Sequence, residues 1–136
     1  MKTRILLLAG MSLLSFAACK KEDASPAPAG PSPAEGFWQG TYSRTGFLGN
    51  EKMALLVKPG GGLRYYEMNG ETDTASLPEL AKVSGTWVFD GSELKISYLS
   101  ASKTYNASLE MNAAKTQLAG PWSLAAAVKG NMILNR

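Results

Sequence analysis

The stretch Val83-Ser84-Gly85-Thr86-Trp87-Val88-Phe89-Asp90-Gly91-Ser92-Glu93-Leu94-Lys95-Ile96-Ser97-Tyr98 decides the architecture. Val83, Trp87 and Phe89 stand at alternate positions, and after Asp90-Gly91 the spacing of two resumes at Leu94, Ile96 and Tyr98. Successive side chains of a strand point to opposite faces, so this period predicts two strands with one buried and one wet face. Asp-Gly between two such runs is a strong hairpin signature, because tight hairpin turns need positive φ. The pattern continues: Tyr105, Ala107, Leu109 and Met111 share one face, with Thr104, Asn106, Ser108 and Glu110 opposite.

Outward from this hairpin, runs rich in Val, Ile, Leu, Tyr, Trp and Thr recur between Gly, Asn, Asp and Ser. Strands are expected at 37–45, 51–58, 62–69, 83–90, 93–100, 103–111, 116–122 and 130–135. Their links are short, which makes neighbours in sequence neighbours in space. The expected fold is therefore all-β, an eight-stranded antiparallel up-and-down barrel over residues 36–136, with a two-sheet sandwich as the alternative. Pro121 lacks the N–H a ladder needs, so its strand is expected to be bulged or at an edge. Two links are longer. Residues 72–82 contain Ser76 and Glu79 at capping-box spacing, which predicts a short helical turn. Residues 123–129 read as either a strand extension or a helical turn.

Composition excludes several chemistries. The chain has 136 residues, a single Cys and no His. It therefore has neither a Ser-His-Asp nor a Cys-His apparatus, nor a Cys/His zinc cluster. Asp90 and Glu93 are paired carboxylates, but they flank a turn that explains them. Glu67, Glu71 and Asp73 lack the dense oxygen-ligand spacing of a calcium loop. No catalytic residue, metal or cofactor is expected, and the reading is of a protein that is not an enzyme.

The N-terminus has another character. Lys2 and Arg4 precede an apolar run from Ile5 to Ala18, too short to span a bilayer and suited to a secretory leader. The run ends in Phe16-Ala17-Ala18-Cys19, where the chain's only Cys stands behind two small residues. This resembles the lipobox of bacterial lipoproteins, with Phe16 where the family usually has Leu. The resemblance implies cleavage of a signal peptide, residues 1–18, and attachment of diacylglycerol and an N-acyl chain to Cys19. Two or three acyl chains anchor stably where one does not. Removing residues 1–18 takes Lys2 and Arg4 from the 14 basic residues and leaves a charge of +1 against 11 acidic ones, no footprint for nucleic acid. Residues 19–35 are expected to be a disordered Pro/Ala-rich tether; at about 3.1 Å per residue, residues 20–35 reach up to roughly 50 Å. Lys20-Lys21-Glu22-Asp23 resembles the export signal of surface-exposed lipoproteins in Bacteroidetes-like bacteria. Together these features imply a lipid-anchored location at the outer membrane or cell surface.

Gly36-Phe37-Trp38, Gly85-Thr86-Trp87 and Gly120-Pro121-Trp122 repeat a Gly-x-Trp motif. On the first strand this resembles the lipocalins and their calycin relatives. The whole of Gly36 to Arg136 is similar to small lipocalin-like domains of exported bacterial lipoproteins. Those share a Trp-x-Gly-x-Tyr opening, here Trp38 to Tyr42, and the turn Lys58 to Gly61. They also share a central Gly-Thr-Trp and a late Leu-x-Gly-x-Trp. The resemblance implies that Trp38 packs at the closed end of the barrel against a late basic residue, a position held here by Arg136. Such a cation–π contact is worth about 0.5–2 kcal/mol. The domain is shorter than a full lipocalin and has no evident long C-terminal helix.

An eight-stranded barrel is wide enough to be filled by side chains or to hold one small ligand. Aromatic residues are plentiful, Tyr66 and Trp122 among them. The interior ligand-binding candidates are Trp38, Tyr42, Tyr65, Trp87, Phe89, Tyr98 and Tyr105, with residues 72–82 (Leu77 and Leu80) as a lid. The expected function is binding of a small apolar or amphipathic molecule by a membrane-anchored barrel. The alternative is a solid-cored protein-interaction module, such as an inhibitor of lysozymes or proteases, displaying its loops to a protein partner.

Overall fold

The computed structural model describes residues 30–69, 71 and 73–136. The expected leader, Cys19 and the tether as far as residue 29 lie outside them. The strands are β1 (Gly36–Ser43), β2 (Asn50–Val57), β3 (Gly62–Met68), β4 (Lys82–Phe89), β5 (Glu93–Ser100), β6 (Lys103–Met111), β7 (Gln117–Leu124) and β8 (Ala127–Asn135). They form a closed barrel in sequence order, every neighbouring pair antiparallel. The ring closes where β8 returns to β1, from Gln39 against Asn135 to Tyr42 against Met132. At this seam the strands approach closely. A Cβ on Gly40 would fall on the Ile133 carbonyl, so only glycine fits the middle of the Trp-x-Gly-x-Tyr motif.

Each expected strand is present, and the main difference is at the end of the chain. Residues 123–129 extend β7 and β8 around a two-residue turn, Ala125-Ala126, with φ of 48° and 66°. Alanine is a poor choice for positive φ, and for that reason the sequence carries no hairpin mark here. Pro121 sits within a closed barrel and not on an edge. The β6–β7 ladder lapses opposite it, between the pairs Ala107–Trp122 and Glu110–Ala119. A bulge follows at Trp122/Ser123, leaving Lys129 as the extra residue of β8.

The turns 58–61, 90–92 and 112–116 gather at one end of the barrel, whose interior is packed with apolar side chains. Leu55, Val57, Leu94, Leu109, Leu118 and Leu134 are buried there with Trp38, itself 0% exposed. Complete burial of such side chains contributes about 1.5–3 kcal/mol each. The Trp38 indole donates to the Ala34 carbonyl at 2.8 Å, and the Arg136 guanidinium lies 4.0 Å from its ring centre. Arg136 also donates to the Pro33 carbonyl. The contact implied for Trp38 and Arg136 is therefore in place. The same geometry moves the domain boundary. Ala34 is fully buried and Glu35 N–H donates to the Ser32 carbonyl at 3.0 Å, so residues 32–35, assigned above to the tether, are a plug of the barrel.

At the other end, the long link between β3 and β4 makes two short 3₁₀ turns, Thr74–Ser76 and Glu79–Ala81. The first is capped by Asp73, whose carboxylate accepts from Ala75 N–H at 2.8 Å, and not by a Ser76–Glu79 capping box. Glu79 instead pairs with Lys82 at 3.1 Å and Arg64 at 3.6 Å.

Candidate ligand cavity

The open end holds a cavity of about 410 Å³, within the roughly 300–1,000 Å³ range of small-molecule pockets. Its wall is built by inward residues at the ends of strands: Tyr42 on β1, Tyr65 and Glu67 on β3, Tyr98 and Ser100 on β5. Lys103 and Tyr105 on β6, Trp122 and Leu124 on β7 and Met132 on β8 continue it. Arg44, Thr45 and Phe47 from the β1–β2 loop and the bulge residue Lys129 complete the rim.

The dominant feature is a run of aromatic rings across the wall. Tyr65 and Tyr98 stack with centroids 4.5 Å apart and planes at 12°. Tyr98 and Tyr105 stack at 5.2 Å and 3°, and Tyr105 and Trp122 at 6.1 Å and 28°. Tyr42 meets Trp122 edge-on at 5.8 Å. Tyr65 and Tyr98 come from β3 and β5, which are not neighbours; β4 runs between them. The β4 residue paired with Tyr98 is Gly85, and a Cβ there would lie 2.8 Å from Tyr98 Cβ. The glycine of the central Gly-Thr-Trp thus leaves vacant the space that lets two rings meet across a strand.

Polar groups at the rim are tied together. The Tyr42 hydroxyl donates to Glu51, while Arg44 donates to the Tyr42 hydroxyl at 2.9 Å and to Glu51 at 3.0 Å. Burial, followed by the hydrogen bond to Glu51, pushes the Tyr42 phenol up to about 12. Burial also raises the Tyr65 and Tyr98 phenols well above their ordinary value, so all three stay neutral donors at physiological pH. The Trp122 indole donates to the Ser43 carbonyl at 2.8 Å, which fixes its ring against the wall.

Of the seven sequence-derived candidates, Tyr42, Tyr65, Tyr98 and Tyr105 converge on this cavity. Trp38, Trp87 and Phe89 face inward but lie elsewhere. Trp38 is sealed in the closed end. The Trp87 indole donates to the Lys58 carbonyl at 2.8 Å, pinning the Lys58–Gly61 turn. Phe89 stands beside Pro33 and Met111, again at the closed end. The expected lid does not cover the mouth: Leu77, 4% exposed, packs on Ala54 and Met68 against the outer face of β2 and β3, and Leu80 is 94% exposed. Glu67 lines the cavity while Glu71 lies in a groove on the outside wall, so the acidic cluster is not brought together. Arg44, Glu67, Lys103 and Leu124 were missed, although each stands two residues from a cavity aromatic and so shares its face.

The fold is thus a closed eight-stranded antiparallel barrel with a leucine-rich core at one end and a cavity in the mouth of the other. No protein-family model matches the chain, and no curated protein matches it in sequence. Among solved structures, a redesigned β-barrel is similar with a TM-score of 0.54 at 14% identity, over 76% of this chain and 91% of that one. A second redesigned barrel, mFAP1 bound to DFHBI, gives 0.52 at 15% identity over 76% and 95%. A mutant of the fluorescent protein UnaG gives 0.39 at 13% over 74% and 94%.

Proposed function

We propose that the chain is an exported, lipid-anchored binding protein that takes a small amphipathic molecule into the open end of its barrel. The observation that carries the reading is the 410 Å³ cavity floored and walled by the tyrosine stack. Tyr42, Tyr65, Tyr98 and Trp122 are buried members of the same core as Trp38, but beyond them the barrel mouth leaves an open cavity where the opposite end carries residues 32–35 and Arg136. The first and second redesigned barrels share the fold, and mFAP1 carries a small molecule, DFHBI, which is consistent with uptake by this architecture. The anchor rests on Cys19 and its lipobox-like surroundings. A thioether-linked diacylglycerol there, with an N-acyl chain, would hold the barrel at a membrane through the Pro-rich segment.

Two experiments test the two halves. Titrating the full chain with fatty acids, haem and a naphthyl dye is expected to give saturable quenching of indole fluorescence, through Trp122 beside the site. Flat curves for every ligand refute the binding role and favour the protein-interaction alternative, which the exposed Phe47 and Leu48 at the rim would serve. For the anchor, radiolabelled palmitate is expected to enter the chain in a lipoprotein-processing bacterium. Labelling that survives Cys19→Ala overturns it.

A further inference from the structure

On the reading of the cavity as a ligand site, we infer that its ligand is a flat aromatic anion, with its ring system against the tyrosine stack and its negative group toward Lys103 and Lys129. In a ring of eight strands, β7 stands four places from β3 in either direction, so the two lie on opposite walls. Lys103 opens β6 and Lys129 is the bulged residue of β8, so the two ammonium groups bracket β7. Glu67 belongs to β3, the facing wall. An acid-to-base gradient therefore crosses the mouth.

The third cation of the rim is already engaged, since Arg44 pairs with Glu51 and the Tyr42 hydroxyl. Among the described residues neither Lys103 nor Lys129 takes part in an ion pair. Both ammonium groups stand exposed at the rim, so each attracts an anion on the modest scale of a surface ion pair, and the two together act on one negative group. The β8 bulge is what brings Lys129 to the rim, since an extra residue re-aims a side chain that regular pairing would place elsewhere. The aromatic wall supplies the second half of the selectivity. The stacked phenol rings spend their faces on one another and turn their edges to the cavity, which offers the face of a flat aromatic partner edge-to-face contacts that a saturated chain does not return. Glu67 repels the anion from the β3 side and so sets the ligand's direction in the cavity.

Three probes separate the parts of this inference: anilinonaphthalene sulfonate, phenylnaphthylamine (the same rings without the sulfonate) and dodecanoate, an anion without rings. Titrated into the full chain by calorimetry, the sulfonate is expected to bind about threefold to tenfold tighter than either other probe, the scale of two solvent-exposed ion pairs. The double variant Lys103→Gln/Lys129→Gln is expected to erase the advantage over phenylnaphthylamine. Glu67→Gln is expected to increase sulfonate affinity severalfold. Both lysines are exposed, so the variant's near-ultraviolet circular dichroism should match that of the parent. Equal affinity for sulfonate and phenylnaphthylamine, unchanged by the double variant, overturns the charge assignment and leaves the cavity reading standing. Dodecanoate binding as tightly as the sulfonate overturns the aromatic assignment. If no probe binds, the ligand-binding reading falls with it.

Discussion

The same eight strands build two unlike ends. At the closed end Trp38 is enclosed by leucines, roofed by Ala34 and covered by Arg136, with its one polar atom satisfied at 2.8 Å. At the open end the rings of Tyr65, Tyr98 and Tyr105 stack, yet they face a cavity, and the rim groups above them are polar or charged. Both ends are rich in aromatics, so aromatic content does not distinguish a core from a site. Trp38, Tyr65 and Tyr98 are all buried, and the difference lies in what stands beyond them: at one end residues 32–35 and Arg136, at the other a cavity.

The largest effect that tests this division is expected from Trp38→Ala. Removing a fully buried indole leaves a cavity and an orphaned Ala34 carbonyl, a loss of about 3–5 kcal/mol in urea unfolding. A loss below that of Tyr98→Leu would invert the comparison and make the open end the true core. Next is Leu77→Ala, expected to cost about 2 kcal/mol, the low end for a buried leucine, since its site on the outer face is shallow. Because Leu77 packs outside the barrel, dye affinity at the open end is expected to remain that of the parent. A changed affinity with unchanged stability would restore the lid.

How much of this was readable in the sequence depends on which quantity is asked for. Alternation in Val83–Tyr98 gives the face of each side chain, because parity is a local property of a strand. It does not give depth along the barrel, which depends on the register of every strand around the ring. That is why alternation groups Tyr65 and Tyr98 with Trp38 and Phe89 although they lie at opposite ends. Parity alone would have added Arg44, Glu67 and Lys103, each two residues from a cavity tyrosine. No local rule reaches Lys129, whose place depends on a bulge after Pro121. The last hairpin was hidden for a different reason, since Ala125-Ala126 adopts positive φ without the glycine or asparagine that usually marks it. Leu77 stands in an amphipathic link that a sequence reads equally well as lid or buttress; only the outer patch of Ala54 and Met68 decides.

Arg136→Ala comes third and sharpens the account of the closed end. It removes the cation over Trp38 and the donor to the Pro33 carbonyl together. The cation–π part is worth about 0.5–2 kcal/mol, and the guanidinium is partly exposed, so a loss near the middle of that range is expected in urea unfolding. Added salt should weaken it little, since the ring quadrupole and a carbonyl, not a counter-charge, hold the group. No measurable loss would mean that the plug of residues 32–35 stands without its C-terminal strap.

The smallest effect at neutral pH belongs to Tyr42→Phe at the open end. Arg44 and Glu51 remain paired at 3.0 Å without the phenol, so the variant is expected to lose only about 0.5–1.5 kcal/mol, one net hydrogen bond. The distinction appears in alkali. The Tyr42 phenol is raised from 10.0 to about 12, so between those values the folded chain holds a proton that the unfolded chain releases. Stability contributed by Tyr42 is therefore complete below pH 10 and declines as pH rises through about 12. Tyr65 and Tyr98 are raised as well and act with the same sign, so the decline is expected to be shallower in Tyr42→Phe, not absent. Urea unfolding at stepped pH across that window measures the slope. A slope identical in parent and variant would show that burial and the hydrogen bond to Glu51 do not hold the Tyr42 phenol in its neutral form. The polar rim would then be as loosely held as any exposed surface.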